Sequence, residues 1–268
     1  MFKPQSLCRA PERVFSFYRK GISDADFFGQ LKFDQLERLT SMQMRCRLAT
    51  IEDIPRIEQL VFSRYSPEVA GEISPFDTYR YVRFGQVLVV ENLAGDTLAC
   101  AYEVGYDHPE RPSYLMRLVV REDMESRGLA TILNRLASAM AFERGARSRH
   151  ALLDPANQKS LYVHLNKVGS YFRDVVDVTC PGIENHFVSA RPLSARTLAE
   201  NSIDDQALLA LCTSGHLPAG WRLVDAQDLG TLRQLLRVHS LGVVAALPRS
   251  GSTPSDSGQR LLLTPLQA

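Results

Sequence analysis

The chain has 268 residues, of which 45% are hydrophobic and 23% are charged, an ordinary globular composition that can fill a core. Its formal net charge of +1 gives no global excess that would point to nucleic acid or to an anionic membrane as a partner. No apolar run is long enough for a transmembrane helix, and the first residues lack the apolar core of a signal peptide.

The five cysteines are scattered along the chain and form neither a CxxC pair nor a metal-binding spacing. No cluster of His, Glu and Asp has metal-ligand spacing either. Reduced thiols in a cytoplasm fit this usage best, so we expect a cytoplasmic protein without a metal site.

Residues 1–44 are expected to form a helical extension, with Asp24 as the candidate N-cap of its main helix. The apolar residues that recur there at helical spacing are Phe27, Phe28, Leu31, Phe33 and Leu36.

Residues 45–193 alternate between strand and helix patterns. CRLAT (46–50) predicts a strand, and Thr50 is the candidate N-cap of the helix IEDIPRIEQLVF that follows. A second helix is predicted over 76–84, and QVLVVEN and LACAYEVGY predict two strands joined by a Gly-Asp turn.

The pattern continues with a strand in SYLMRLVV (113–120) and a helix over 127–144 that ends at Gly145. A strand in HALLD (150–154), a helix over 157–168 ended by Gly169, and two strands in YFRDVVDVT and ENHFVSARP close the region. The resulting order β-α-α-β-β-β-α-β-α-β-β predicts the α/β class, with a mixed central β-sheet flanked by helices.

Residues 194–268 are predicted to be a C-terminal extension. It would contain a helix over 195–215, an amphipathic helix within 221–239, a flexible Ser/Gly/Pro-rich loop over 248–259 and a final strand in RLLLTPL. The stretch 221–239 repeats the strand-then-helix rhythm of 46–62, although one short match is weak support for an internal duplication.

The segment EDMESRGLATIL (122–133) places Gly128 where a strand turns into a helix. The first turn of a helix leaves N–H groups without intrahelical partners, and they favour an anion there. Gly128 and the small Ala130 would let a phosphate come close to the backbone. Neither GxxxxGK[ST] nor GxGxxG is present, and Gly128 taken alone could equally serve a tight corner.

Three blocks in this region, CRLATIEDIPRIEQL, LVVREDMESRGLATIL and ALLDPANQKSLYVHLNKVGSYF, together resemble the general N-acyltransferase (GNAT) superfamily. The resemblance covers about 150 of the 268 residues, and its second block is similar to the family's acyl-CoA-binding segment, [Q/R]-x-x-G-x-[G/A]. It implies a GNAT-like sheet over 45–193 and acetyl-CoA or another acyl-CoA as the cofactor.

The resemblance also implies a set of cofactor-binding positions. Leu118 and Val120 would offer backbone groups to the pantetheine amides, and Asn157 would contact the pantetheine arm. The pyrophosphate loop would comprise Glu125, Ser126, Arg127, Gly128, Leu129 and Ala130, with Thr131 as a further contact. Glu125 departs from the family, which has Gln or Arg at this position, and a carboxylate beside a pyrophosphate is unfavourable unless it points away.

Acyl transfer to an amine needs a group that removes a proton from the amine and one that protonates the departing thiolate. Glu103 and His108 are candidate bases. Without a catalytic role, Glu103 would be an outward-facing strand carboxylate and His108 a loop histidine. Tyr162 and His164 are further candidates near the position of the family's late-helix Tyr, although they lie on different faces of the helix. We interpret Cys180 as structural.

The leading hypothesis is an N-acyltransferase, most simply an acetyltransferase, that moves an acyl group from acyl-CoA to a primary amine of a small molecule or protein in a ternary complex. An acyl-carrier-protein-dependent N-acyl amino acid or homoserine lactone synthase is an alternative, and Arg117 would bind the acceptor's carboxylate in such an enzyme. A catalytically weak acyl-CoA-binding regulatory module is another alternative. A homodimer is possible, and the acceptor has no recognisable code in the sequence.

Overall fold

The computed structural model describes residues 21–65, 75–105, 112–176, 186–201, 217, 219–239, 241–248 and 259–265. The chain forms two compact units, one made of residues 23–151 and the other containing residues 152–268. Each unit has a β-sheet with helices packed against it, which confirms the predicted mixed α/β class. The predicted boundaries of a domain at 45–193 with two extensions stay a prediction.

The first unit follows the predicted element order closely. Its elements are α1 (Asp24–Ser41), β1 (Met44–Leu48), α2 (Ile54–Phe62), α3 (Pro75–Phe84), β2 (Gln86–Asn92), β3 (Thr97–Val104), β4 (Ser113–Val120), α4 (Leu129–Glu143) and β5 (Ser148–Leu153), of which β5 runs across the boundary into the second unit. Short 3₁₀ turns, Ile51–Asp53 and Glu122–Met124, precede α2 and α4.

The sheet of the first unit has the order β1-β2-β3-β4-β5, antiparallel except for the parallel pair β4 and β5. Successive residues of a strand face opposite sides, so the apolar runs of β2 and β3 supply two cores. Leu88, Val90, Ala99 and Ala101 pack under α4, whereas Val87, Val89, Cys100 and Tyr102 pack under α2 and α3. Both faces of the sheet are therefore covered by helices.

A β-bulge interrupts the pairing of β3 with β4. Tyr102 pairs with Arg117 and the next residue, Glu103, pairs with Leu115, so Met116 is an extra residue on β4. Because the bulge reverses the alternation, Leu115 and Leu118 face the same core under α4. The sequence gives no signal for this bulge, which sets the direction of every later side chain on β4.

Helix α1 packs against α4, with the rings of Phe28 and Phe142 stacked at 4.6 Å between centroids. The prediction of Asp24 as N-cap is wrong. The cap is Ser23, whose hydroxyl accepts a hydrogen bond from the Asp26 N–H at 3.1 Å, while Asp24 is the first helical residue. At Thr50 the predicted cap is confirmed, with a capping box in which Asp53 accepts from the Thr50 N–H at 2.8 Å.

The second unit contains α5 (Gln158–Tyr162), β6 (Tyr171–Val176), β7 (His186–Pro192), α6 (Ala195–Asn201), β8 (Arg222–Asp225), α7 (Leu229–Val238), β9 (Leu241–Pro248) and β10 (Gln259–Pro265). A π-helical turn, Val163–Lys167, extends α5. The predicted final strand is confirmed as β10. The structure adds β9, an apolar run that the sequence analysis did not assign although Leu241–Leu247 has the composition of a buried strand.

The strands of the second unit have the order β7-β6-β9-β10-β8, and the pairings that involve β6, β9 and β10 are antiparallel. The strand–helix–strand–strand stretch from β8 to β10 shares the rhythm of the segment that begins at β1. Its pairing differs, because β8 pairs with β10 whereas β1 pairs with β2. The topology therefore does not repeat the start of the first unit.

Within the part of the chain that the structure describes, no helix has the length and apolar character needed to cross a membrane. The described residues also include no group of three or more His, Cys, Asp or Glu side chains arranged to hold a metal ion. The predicted loop over 248–259 lies outside the described residues except for its two end residues, which belong to β9 and β10. His108 and Cys180 also lie outside the described residues.

Candidate functional site

The loop between β4 and α4 has an unusual backbone. Ser126 and Gly128 both lie in the left-handed region, with φ of 62° and 84°. A left-handed non-glycine residue costs about 1–2 kcal/mol, so Ser126 is strained, whereas Gly128 adopts this conformation without a steric penalty. Strain of this kind accumulates at functional sites, where it directs backbone groups toward a ligand.

Helix α4 starts directly after this loop. The Ile132 N–H donates to the Gly128 carbonyl oxygen at 3.0 Å, which closes the first helical turn. The N–H groups of Leu129, Ala130 and Thr131 precede this bond and have no intrahelical acceptor. They point out of the N-terminus of a 15-residue helix, whose dipole favours negative charge.

Glu125, the predicted unfavourable carboxylate, forms an ion pair with the guanidinium of Arg64. Arg64, which follows α2, also lies 3.6 Å from a carboxylate oxygen of Glu122. Glu125 and Arg64 are both about a quarter exposed. The negative charge in the loop is therefore compensated locally.

A second arginine reaches the loop from α1. A β-carbon built on Gly128 would lie 3.2 Å from Nη2 of Arg38 and 3.7 Å from its Cζ. The positive end of Arg38 thus lies directly beside the left-handed glycine. Neither Arg38 nor Arg64 could be identified from the sequence, because both lie far from the motif along the chain and in segments that the resemblance does not single out.

Two further arginines belong to the motif or to its approach. Arg127, the cation inside the motif, is exposed. Arg121, at the end of β4, forms an ion pair with Asp123 at 2.6 Å and is therefore compensated. The guanidinium that adjoins the backbone at Gly128 is thus supplied by Arg38, from outside the motif.

A cleft of about 790 Å³ lies beside the loop, between α2, the β2–β3 turn and residues 121–123. Its charged lining residues are Arg56, Arg64, Asp96, Arg121, Glu122 and Asp123. Because positive and negative side chains are equal in number, the cleft itself has no strong preference for an anion.

Strand β4 presents backbone groups on its far edge. The Arg121 N–H donates to the Leu98 carbonyl oxygen of β3 at 2.9 Å. Backbone groups of successive residues point to alternate sides, so those of Leu118 and Val120 point away from β3. The pairing of β4 with β5 joins Ser113–Leu115 to Arg149–Ala151 and includes neither residue. Among the described pairings, this edge is open to an extended amide-containing ligand.

Glu103, a predicted general base, lies in a buried network under α4 and is 1% exposed. Arg149 of β5 binds both carboxylate oxygens, with Nε at 2.9 and 3.0 Å and Nη2 at 2.8 Å from Oε2. Ser113 donates to Oε1 at 2.5 Å, and Arg149 also contacts Asn134 and Ser138 of α4. Because all these partners belong to the interior, the geometry favours a structural role for Glu103.

The remaining predicted residues belong to the second unit. The side chain of Asn157 caps α5 by accepting from the Ser160 N–H at 3.0 Å, which occupies its oxygen and leaves its amide N–H₂ available to donate. Tyr162 is half-buried, with the Lys167 ammonium 5.3 Å from its ring centroid. His164 is 5% exposed and lies in the π-helical turn, a distortion that is frequent at functional sites.

The described thiols are unsuited to nucleophilic chemistry. Burial raises the pKa of both Cys46 and Cys100 to about 12, although the positive charges of Arg47 and Arg117 oppose the shift. The thiolate is the reactive form of cysteine, so neither residue is activated.

No protein-family model and no curated protein matches the chain. Solved structures similar to it include the NatC complex bound to Gag peptide and CoA (13% identity, TM-score 0.49, 57% of this chain and 99% of that chain). Another is the PaiA N-acetyltransferase from Thermoplasma acidophilum in complex with coenzyme A (13% identity, TM-score 0.44, 56% of this chain and 98% of that chain). A third is the ribosomal-protein-S18-alanine N-acetyltransferase from Escherichia coli (18% identity, TM-score 0.41, 56% of this chain and 94% of that chain). Similarity at this level does not support a function for this chain.

Proposed function

We propose that this chain is an acyl-CoA-dependent N-acyltransferase, most simply an acetyltransferase, that transfers the acyl group directly to a primary amine. The observation that carries the proposal is the left-handed loop at Ser126 and Gly128, which opens the N-terminus of α4 beside Arg38. A diphosphate fits this arrangement, because it needs close backbone approach, several N–H donors and positive charge.

The binding roles follow from this arrangement. The N–H groups of residues 126–131 would hold the diphosphate oxygens, and Arg38 would compensate their charge. Arg64 would keep Glu125 turned aside. The backbone of Leu118 and Val120 would pair with the amides of the pantetheine arm, as a neighbouring strand would.

When bound, acyl-CoA supplies a thioester as the activated acyl group. The amine nitrogen forms a bond to the acyl carbon while the carbon–sulfur bond breaks. One proton leaves the nitrogen and one reaches the sulfur, so the products are an amide and a thiol. Tyr162 and His164 stay predicted groups for proton transfer, whereas Glu103 would position β3 and β5 through Arg149.

An uncompensated carboxylate at Glu125 would favour the alternative of a catalytically weak binding module. The Arg64 ion pair supplies a physical reason for a carboxylate at that position, so Glu125 does not favour this alternative over an enzyme. No described contact favours an acyl carrier protein as donor.

Calorimetry with CoA and acetyl-CoA tests the proposal. We expect saturable 1:1 binding in the micromolar range, followed by release of free thiol when an accepted amine is added. Absence of binding at millimolar ligand would contradict it.

A further inference from the structure

Two buried polar atoms lie without hydrogen-bond partners on the face of the first unit that α2 and α3 cover. One is Nη1 of Arg117, on β4, and the other is Oε1 of Glu58, on α2. Among the described residues, neither side chain has an ion-pair partner. One is a cationic donor and the other an anionic acceptor, so a ligand that satisfies both would carry groups of both kinds.

Both residues lie near the ring of Tyr102. The guanidinium carbon of Arg117 is 5.7 Å from the ring centroid. Glu58 lies on α2, whose residues Ile57 and Val61 pack in the same core as Tyr102. Burial raises the pKa of the Tyr102 phenol, the charge of Arg117 lowers it and that of Glu58 raises it. Tyr102 is therefore the common neighbour of the two unsatisfied groups.

The side chains around Tyr102 combine aromatic and polar groups. Tyr81 of α3 meets Tyr102 edge to face at 5.4 Å, and the hydroxyls of Thr78 and Tyr102 are 3.5 Å apart. Tyr65, just after α2, packs against the core that contains Tyr102. Such a mixture of aromatic side chains and a few polar groups is typical of sites for small ligands.

Leaving these two groups unsatisfied is costly. A buried donor or acceptor without a partner destabilises the folded state, and more strongly when it is charged. Native proteins keep few such groups, and each calls for a ligand, a water or a functional reason. Here the two groups carry opposite charges. A single zwitterionic ligand would satisfy both of them, whereas an apolar ligand would satisfy neither.

The position of Arg117 links these groups to the proposed reaction. Arg117 follows the bulge at Met116 and immediately precedes Leu118, whose backbone lies on the open edge of β4. A molecule held by Arg117 would therefore lie against the same strand that we propose for the pantetheine arm.

We propose that the acceptor is a free α-amino acid, whose carboxylate is bound by Arg117 and whose amino group is received by Glu58. This inference rests on the proposed function and adds the class of the acceptor. Arg binds carboxylates with two parallel N–H donors, and a buried carboxylate is a suitable partner for an ammonium group that must then lose a proton.

The test compares each common L-amino acid with the amine made by removing its α-carboxylate, by calorimetry on protein saturated with CoA. We expect at least one amino acid to bind about 30-fold or more tightly than its decarboxylated partner. Arg117→Met should remove this preference by weakening the amino acid alone, while the CoA affinity stays unchanged. Arg117→Lys should restore part of it.

Glu58→Gln provides the reciprocal test. This variant should weaken binding of the amino acid. It should not weaken binding of the corresponding carboxylic acid that lacks the amino group, whereas Arg117→Met should weaken binding of that acid. Arg45→Met removes an exposed arginine of β1 that pairs with Glu91, and as the control for loss of a positive charge it should leave the amino acid and CoA affinities unchanged.

The inference is overturned if no amino acid binds at millimolar concentration, or if Arg117→Met keeps the preference for a carboxylate. If the unmodified protein does not bind CoA, that result would instead contradict the proposed function. The amino acid titrations can then be repeated on the protein alone, so the two failures remain distinguishable.

Discussion

The guanidinium of Arg38 lies against Gly128, so close that a β-carbon on the glycine would be 3.2 Å from Nη2. This contact joins a helix outside the resembling region to the backbone of the proposed diphosphate loop. The proposed cofactor site therefore includes a residue of α1, and its properties can be tested by substitutions on both sides of the contact.

Gly128→Ala should weaken CoA binding about tenfold or more, because it strains a left-handed residue and places a methyl group where the ligand and Arg38 approach. Gly145→Ala is the matched control. It has a φ of 87° at the other end of the same helix, and its β-carbon would meet nothing within 4 Å. Both variants should lose about 1–2 kcal/mol of unfolding free energy, as chemical denaturation would show. Equal CoA affinities for the two variants would contradict the proposed loop.

Arg38→Met should weaken CoA binding by about three- to tenfold at low salt, since Arg38 is half-buried and part of its charge is screened by solvent. The difference from the unmodified protein should shrink as ionic strength rises. Calorimetry over a salt series measures both effects. Lys32→Met, on the same helix and paired with Glu143, is the control; an equal loss of affinity there would count against a specific role for Arg38.

Glu103→Gln distinguishes a structural carboxylate from a catalytic base. Because Arg149 would lose its charged partner in the interior, we expect the free energy of unfolding to fall by about 2–4 kcal/mol. If Glu103 is structural, the fall of kcat/KM toward low pH should have the same midpoint in Glu103→Gln as in the unmodified protein. A stable variant that lacks this fall would identify Glu103 as the base, and Glu37→Gln, exposed on α1, controls for loss of a charge.

The Asp53 network predicts a sensitivity to acid. Arg47 donates to Asp53 at 2.6 and 2.8 Å and, with the Thr50 N–H, holds the pKa of that carboxyl well below its ordinary value. A lowered folded-state pKa stabilises the protein above the unfolded value of about 4, and this stabilisation is lost as the pH falls through the folded pKa.

Urea denaturation between pH 7 and pH 2 should therefore show a steeper loss of stability for the unmodified protein than for Asp53→Asn, with the difference developing below about pH 4. At pH 7 the variant should be less stable by about 2–3 kcal/mol, because Arg47 and the Thr50 N–H lose a charged acceptor. Asp34→Asn, on α1, is the control, and a parallel pH dependence in Asp53→Asn would show that this network is not the source.

Cys46 and Cys100 should resist alkylation in the native protein at pH 8, because burial raises the pKa of each thiol to about 12. Peptide mass spectrometry after brief treatment with iodoacetamide should find both unmodified, and both should react in urea. Rapid native labelling of Cys100 would contradict its complete burial under α2.

Local pattern predicted most elements of the first unit because each pattern acts within a few residues. Strand β4 has the predicted bounds, α4 ends just before Gly145 as predicted, and Thr50 has the predicted cap. The strand β9 was missed since a short apolar run carries no periodicity that separates it from other buried segments. The bulge at Met116 was missed because it depends on the register of two strands.

The sequence by itself determined where the chain turns: a strand, a small-residue corner and a helix at Gly128 follow from composition within about 20 residues, and they suffice to suggest an anion site. Only the tertiary structure decided what surrounds that corner. Arg64 lies 61 residues from Glu125 along the chain, and their contact gives that carboxylate a partner. Arg149 lies 46 residues from Glu103, and their contact places this candidate base in the core. Such pairs depend on which strands and helices become neighbours. That is a consequence of packing, and no local pattern records it.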